Sequence, residues 1–285
     1  MVVVTAIADV RNAVAKARES GARVGFVPTM GALHDGHVSL VERAKREADL
    51  TVMSIFVNPL QFAPTEDLSR YPRPVQEDER LAADAGVDIL FRPDVADMYP
   101  PGRVILVTAG DLGSDWEGKS RPGHFDGVLT VVTKLFNIVQ PDFAVFGRKD
   151  LQQAALVQAL VRDLDMPISI VVSPIVRESD GLAMSSRNRY LSVAERNQAT
   201  ILSTALHSVK QAFADGERDT PTLEAICRRV LASASEVRPD YVAVVDPATF
   251  RRSPRAEPGF GAILAARVGG TRLIDNVTLG SNDQD

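Results

Sequence analysis

His34 and His37 stand three residues apart in FVPTMGALHDGHVSLVERAK (residues 26–45), in a chain that has four histidines. On a helix that spacing puts both imidazoles on one side of the first turn. Gly31 and Gly36 allow the backbone to approach a ligand closely, and a helix beginning near His37 offers free N–H groups and the positive end of its dipole to a phosphate. Imidazoles there could donate to phosphate oxygens whose charge grows in a transition state. Two other readings fit the same residues: a glycine turn carrying two surface histidines, or a metal pair, for which no nearby cysteine or third histidine completes a zinc set.

Two further stretches carry charge where an anion is wanted. In FGRKDLQQ (146–153) an apolar strand meets a helix, and Lys149 falls near the helix start, where a cation opposes the dipole unless an anion is bound. Asp150 could cap that helix, and Gln153 could be solvated. In SDGLAMSSRNRYLS (179–192), two hydroxyls, an arginine fork and a glycine make a clamp for phosphates, or a solvated basic loop before a helix capped by Ser192. A fourth stretch misleads. GSDWEGKS (113–120) fits the phosphate-loop pattern G-x-x-x-x-G-K-[ST], yet Arg121, Pro122 and Gly123 follow at once where a helix must open, and Asp115 and Glu117 would face the phosphates. Arg121 and His124 could serve an anion at the helix that follows.

These residues need a scaffold, and the apolar periodicity supplies one. A helix capped by Asp9 and stopped by Gly21 precedes a strand at 23–27 cut by Pro28; LTVMSIFV (50–57) reads as a parallel strand buried on both faces. Helices follow at 75–85, 127–139 and 151–163, and strands at 87–91, 104–107, 143–146 and 168–172. That alternation predicts an α/β fold with a doubly wound parallel sheet, in which ligands bind beyond the carboxyl ends of the strands. From about Val176 the pattern becomes helices at 193–214 and 221–234, then strands at 241–245, 262–268 and 272–277, a smaller α+β domain. SPRAEPGFG (253–261) reads as a surface loop, and SNDQD (281–285) as a frayed end.

Composition narrows the partners. A net charge of −5 disfavours a broad nucleic-acid footprint, so any anion site is local. Cys227, the single cysteine, excludes an intrachain disulfide and a thiolate metal cluster, and its helical context suggests a buried structural thiol. No apolar run approaches the ~20 residues of a membrane span, and no basic stretch precedes the first apolar residues, so a cytoplasmic protein is expected.

Together, PTMGALHDGH (28–37), FVNPLQF (56–62), RYPR (70–73) and AMSSRN (183–188) resemble the pantothenate synthetase (pantoate beta-alanine ligase) family of the nucleotidyltransferase superfamily. The first matches that family's HxGH signature, the second and third its pantoate loop, the last its counterpart of the KMSKS loop, and the likeness covers almost the whole chain. It implies a Rossmann-like ATP- and pantoate-binding domain over 1–175 and an α+β lid over 176–285. The implied reaction is ATP-dependent condensation of (R)-pantoate with beta-alanine through a pantoyl adenylate, with Mg²⁺ held largely by phosphate oxygens, no protein metal site, and a homodimer. By the same resemblance ATP contacts Met30, Gly31, Ala32, Leu33, His34, Asp35, Gly36 and His37, then Gly147, Arg148, Lys149 and Asp150, then Val176, Met184, Ser185, Ser186 and Arg187. His37 is the implied proton donor, with His34, Lys149 and Arg187 beside it as catalytic residues; Gln61 and Gln153 hold pantoate. Where the family usually has Glu before the Lys-Asp pair, Arg148 stands here, which leaves that side chain's role open.

Overall fold

A computed structural model describes residues 1–281; the expected fraying of the last residues therefore falls, from residue 282 on, outside the described residues. The chain divides into two compact units, residues 1–147 with 156–173, and residues 148–155 with 174 onward.

The first unit holds a six-stranded parallel sheet in the order β1-β4-β3-β2-β5-β6. Its strands are β1 (Val2–Val4), β2 (Val24–Thr29), β3 (Leu50–Ile55), β4 (Ile89–Phe91), β5 (Phe143–Gly147) and β6 (Ser169–Ser173). Helices α1 (Ile7–Glu19), α2 (Asp35–Lys45), α3 (Val75–Ala85), α4 (Val95–Met98), α5 (Glu117–Ser120), α6 (His124–Val139) and α7 (Leu151–Asp163) connect them. Side chains alternate across each strand, so the sheet feeds two cores. Phe26, Val52, Ile89, Phe91, Ala144 and Phe146 pack against α1 and α6, while Val27, Met53, Ile55, Leu90 and Val145 pack against α2 and α3.

The strand order reverses between β2 and β5, which places a crevice at their carboxyl ends. The two strands pair only at Gly25–Phe143 and Phe26–Ala144, although β2 runs on to Thr29 and β5 to Gly147. Pro28 therefore does not end β2 as its missing N–H suggests. It pairs in register with Ser54 of β3. The N–H and carbonyl of Val24 both face the β5 side, at Asp142, so by alternation the donor that Pro28 lacks would have pointed where that ladder has already stopped.

Three other expectations change. Helix α1 starts from Ala6, and Asp9 sits in its first turn, complementing the dipole rather than capping it. Residues 104–107 find no ladder partner among the described residues and form no strand. The long helix expected over 193–214 is two, α8 (Val193–Ala199) and α9 (Ile201–Ala214), which meet at Thr200. There the Thr200 hydroxyl donates to the Asn197 carbonyl, and the hydroxyls of Ser203 and Thr204 donate to that of Thr200; such bonds compete with the helical ladder.

In the second unit α9 and α10 (Thr220–Leu231) cover one face of an antiparallel sheet ordered β7 (Val237–Val245), β8 (Gly261–Val268), β9 (Thr271–Thr278). Leu202, Leu206, Val209, Phe213, Leu223 and Leu231 meet Val242, Val244, Leu264, Leu273 and Val277 in that core. Cys227 lies among them, and burial pushes its thiol up to about 12, which makes it a packing residue and not a nucleophile. Among the described residues no helix is long and apolar enough to cross a membrane.

Candidate active site

The first unit carries the histidine turn and the Gln61 loop. After β2 the chain bends through Gly31 and Ala32, both in the left-handed region at φ 81° and 50°. A Cβ on Gly31 would stand 2.8 Å from Asp78 Oδ2 and 2.9 Å from Ile55 Cγ2, so glycine is required for space as well as conformation. Ala32 has no such freedom, and its left-handed backbone costs about 1–2 kcal/mol. The buried carboxylate of Asp78 offsets it, accepting the N–H of Ala32 at 2.9 Å and of Leu33 at 2.7 Å. Charge-assisted bonds of this kind contribute about 1.5–3 kcal/mol each, and Asp78 lies in the first turn of α3, where the dipole favours its charge.

His34 is the N-cap of α2 and its ring centroid is 4.1 Å from that of His37. The His34 backbone N–H donates to His37 Nδ1 at 3.3 Å. A ring nitrogen that accepts carries no proton, so neutral His37 keeps its proton on Nε2, which becomes a donor at the N-terminus of a helix.

Gln61 is buried in a short turn, residues 59–61, that packs on α6 at Gly127. A Cβ at Gly127 would collide with the Leu60 carbonyl and lie 2.6 Å from the Gln61 nitrogen. Asn58 Nδ2 donates to the Gly127 carbonyl and to Gln61 Oε1, both at 3.0 Å, while Asn58 Oδ1 accepts from the Tyr99 hydroxyl at 2.8 Å. Burial pushes the Tyr99 phenol up, which keeps it a donor. Gln61 Nε2 is left with the Met30 thioether at 3.0 Å, a weak acceptor that a ligand oxygen improves on.

Arg121 and His124 support this turn rather than forming an anion site of their own. Arg121 binds Glu66 through two bonds of 2.6 and 3.0 Å, and His124 joins the Gln61 carbonyl (Nδ1, 2.9 Å) to Arg121 Nη1 (Nε2, 2.9 Å). Arginine cannot accept, so Nε2 does and the proton sits on Nδ1. Burial first, then the Arg121 charge, pulls His124 down to about 4. The phosphate-loop match dissolves here: its lysine lies in the four-residue α5, which ends at Ser120.

The second unit carries the other candidates. Lys149 sits in a single 3₁₀ turn, Arg148–Asp150, ahead of α7. Arg148 Nη1 donates to Thr278 Oγ1 at 3.0 Å, so the side chain that replaces the family's glutamate is tied to β9. In the 176–188 segment the Met184 N–H donates to the Val176 carbonyl at 3.0 Å, Ser185 Oγ accepts from the Arg187 N–H at 3.2 Å, and Ser186 is buried. Arg177 clamps Asp275 through bonds of 2.7 and 3.0 Å and binds the Gly181 carbonyl; Asn188 binds Glu178 and the Ala183 carbonyl. Gln153 is half-buried on the first turns of α7. Asp78, Asn58, Tyr99, Arg177, Asp275 and Asn276 do not stand out in the sequence. Of these only Asn58, an asparagine opening a turn before Pro59, carries a local signal.

A doubly wound parallel sheet with a histidine-bearing turn and helix N-terminus beyond β2 defines a nucleotide-using α/β enzyme. The pantoate-beta-alanine ligase family model matches residues 2–278. The pantothenate synthetase of Acidothermus cellulolyticus is 55% identical over 91% of this chain and 86% of its own, and pantothenate synthetase 1 of Bradyrhizobium diazoefficiens is 50% identical over 98% of each. Crystal structures agree: that of pantothenate synthetase from Thermus thermophilus (46% identity, TM-score 0.93, 97% of this chain and 99% of that one), and that of the Francisella tularensis pantoate-beta-alanine ligase complexed with beta-gamma ATP and beta-alanine (34%, 0.80, 98% and 97%). This chain belongs to the pantoate-beta-alanine ligase family and is an ATP-using ligase that makes pantothenate.

The depressed His124 value sets a pH dependence of stability. Protonation below the unfolded value of 6.5 favours the unfolded chain, so the stabilisation is complete above pH 6.5 and is lost as pH falls toward 4. Across that window the loss is about 3 kcal/mol. Urea midpoints between pH 7 and 4 should fall steeply in the wild type and more gently in His124→Gln; parallel curves would contradict the assignment.

Proposed function

We propose that pantoate's carboxylate attacks the α-phosphorus of ATP, the bond to diphosphate breaks, and the resulting pantoyl adenylate is opened by the amine of beta-alanine to give the amide and AMP. The observation that carries this reading is His37, whose Nδ1 accepts from its own chain and whose Nε2 proton is thereby presented at the start of α2. Pantoate's carboxylate is ionised at pH 7, so the first step needs alignment and charge neutralisation and no strong base.

Met30 to His37 supply N–H groups and imidazole donors to the phosphates, with His34 beside His37. Gly147 to Asp150, Val176, and Met184 to Arg187 complete the nucleotide contacts, Lys149 and Arg187 as cations and Ser185 and Ser186 as hydroxyl donors. Gln61 and Gln153 receive pantoate, since a neutral amide accepts from its hydroxyls and donates to its carboxylate. Beta-alanine approaches near Gln61. In this reading Mg²⁺ accompanies ATP, held largely by phosphate oxygens and water. The cytoplasm, where ATP is supplied, is the compartment this reading requires.

The enzyme acts as a homodimer in this reading. Val104, Ile105 and Leu106 are 87%, 73% and 47% exposed, an apolar patch that a second copy of the chain would cover. Sedimentation equilibrium should give a dimer mass for the wild type and a monomer for Val104→Asp with Ile105→Asp; a monomeric wild type would refute it.

Lys149 acts in the transition state, where charge grows as diphosphate departs. Lys149→Ala should slow adenylate formation by about 10²- to 10³-fold, as loss of an oxyanion donor does, and change ATP affinity less. Single-turnover, pantoate-dependent diphosphate release reads the first step, and AMP release on adding beta-alanine reads the second. A variant slow only in the second step, or a wild type that releases no diphosphate without the amine, would contradict this order.

A further inference from the structure

Two adjacent carbonyl oxygens, those of Arg148 and Lys149, accept from one nitrogen: Asn276 Nδ2, at 3.1 and 3.0 Å. Asn276 is 2% exposed, and its Oδ1 has no partner among the described residues. Turning the amide over would set Oδ1 against both carbonyls, so the donor end fixes its orientation. The site asks for two hydrogens on one atom of a short side chain. A hydroxyl has one and an ionised aspartate none, which leaves asparagine. Thr278, on the same face of β9, accepts from Arg148 Nη1, so three bonds anchor the 148–150 turn to a strand more than a hundred residues away. On the opposite face Asp275 holds Arg177, at the base of the segment that carries Ser185, Ser186 and Arg187.

We infer that Asn276 is a positioning residue for Lys149: by holding the carbonyls of the turn it sets where the lysine backbone stands, and hence where its long, flexible side chain delivers the ammonium. This rests on the transition-state role proposed for Lys149. A displacement of about 1 Å at such a group can cost about 10²-fold in rate.

A double-mutant cycle separates this role from a merely structural one. Single-turnover diphosphate release from ATP and pantoate should be about 10- to 100-fold slower in Asn276→Ala, with ATP affinity little changed. In the Lys149→Ala background the same substitution should add nothing. An Asn276→Ala rate equal to wild type, or a double variant slowed by the product of the two single effects, would overturn the inference. If Asn276→Ala does not fold, Thr278→Val tests the same anchor: a smaller slowing that vanishes without Lys149 supports it, and a slowing that persists there overturns it. A wild-type rate in Lys149→Ala would overturn the role of the lysine itself, and this inference with it, whereas a slow Lys149→Ala beside a normal Asn276→Ala would overturn the inference alone.

Discussion

The carboxylate of Asp78, buried and accepting the N–H groups of Ala32 and Leu33, is the contact on which the histidine turn depends. Without it the buried N–H of Leu33 would lose its acceptor beside an alanine in a left-handed conformation, at a cost of about 1–3 kcal/mol. With it, the chain leaving β2 is bent so that α2 opens at His34 and the His34 N–H reaches His37 Nδ1. The proton position on His37, which the proposed mechanism uses, is thus the last link of a chain of backbone constraints that begins on another helix. Catalysis by preorganised donors works because the arrangement is made during folding and not during reaction.

The same economy recurs at each candidate group. Gln61 is aimed by Asn58, and its backbone carbonyl by His124 and Arg121, the latter held by Glu66. In the second unit, neighbouring residues of β9 on opposite faces tether Arg177 and the 148–150 turn. Gln61 and Lys149, proposed to meet substrate, sit in 3₁₀ turns, whereas Asp78, His124 and Asn276, which help hold the site's turns, sit with buried side chains on α3, α6 and β9.

Much of this was legible in the sequence. The alternation of strands and helices gave the sheet, and the histidine turn, the FGRKD junction and the MSSR loop were all found at ends of elements, where ligands of such folds bind. The supports were not legible, for a physical reason. Asp78 is 45 and 46 residues from the amides it binds, and Asn276 is 127 and 128 from its carbonyls, so no local pattern marks either. Asp78 reads as an ordinary acid in the first turn of a helix, and Asn276 as a polar residue in a strand. Errors of the opposite kind came from local rules applied without their neighbours: Pro28 continues a strand because the ladder on its side has ended, and residues 104–107 form no strand because none among the described residues pairs with them.

The central claim is that the turn held by Asp78 is the preformed cradle for the phosphates of ATP. Asp78→Asn tests it most directly, since the side chain keeps its size while one of its two acceptors becomes an NH₂ group facing a backbone donor. The measurement is single-turnover diphosphate release from ATP and pantoate, made on protein whose circular dichroism matches the wild type. The account predicts a rate at least ~10-fold lower, with weaker ATP binding, from misplacement of the donors. A wild-type rate and affinity in a folded Asp78→Asn protein would contradict it.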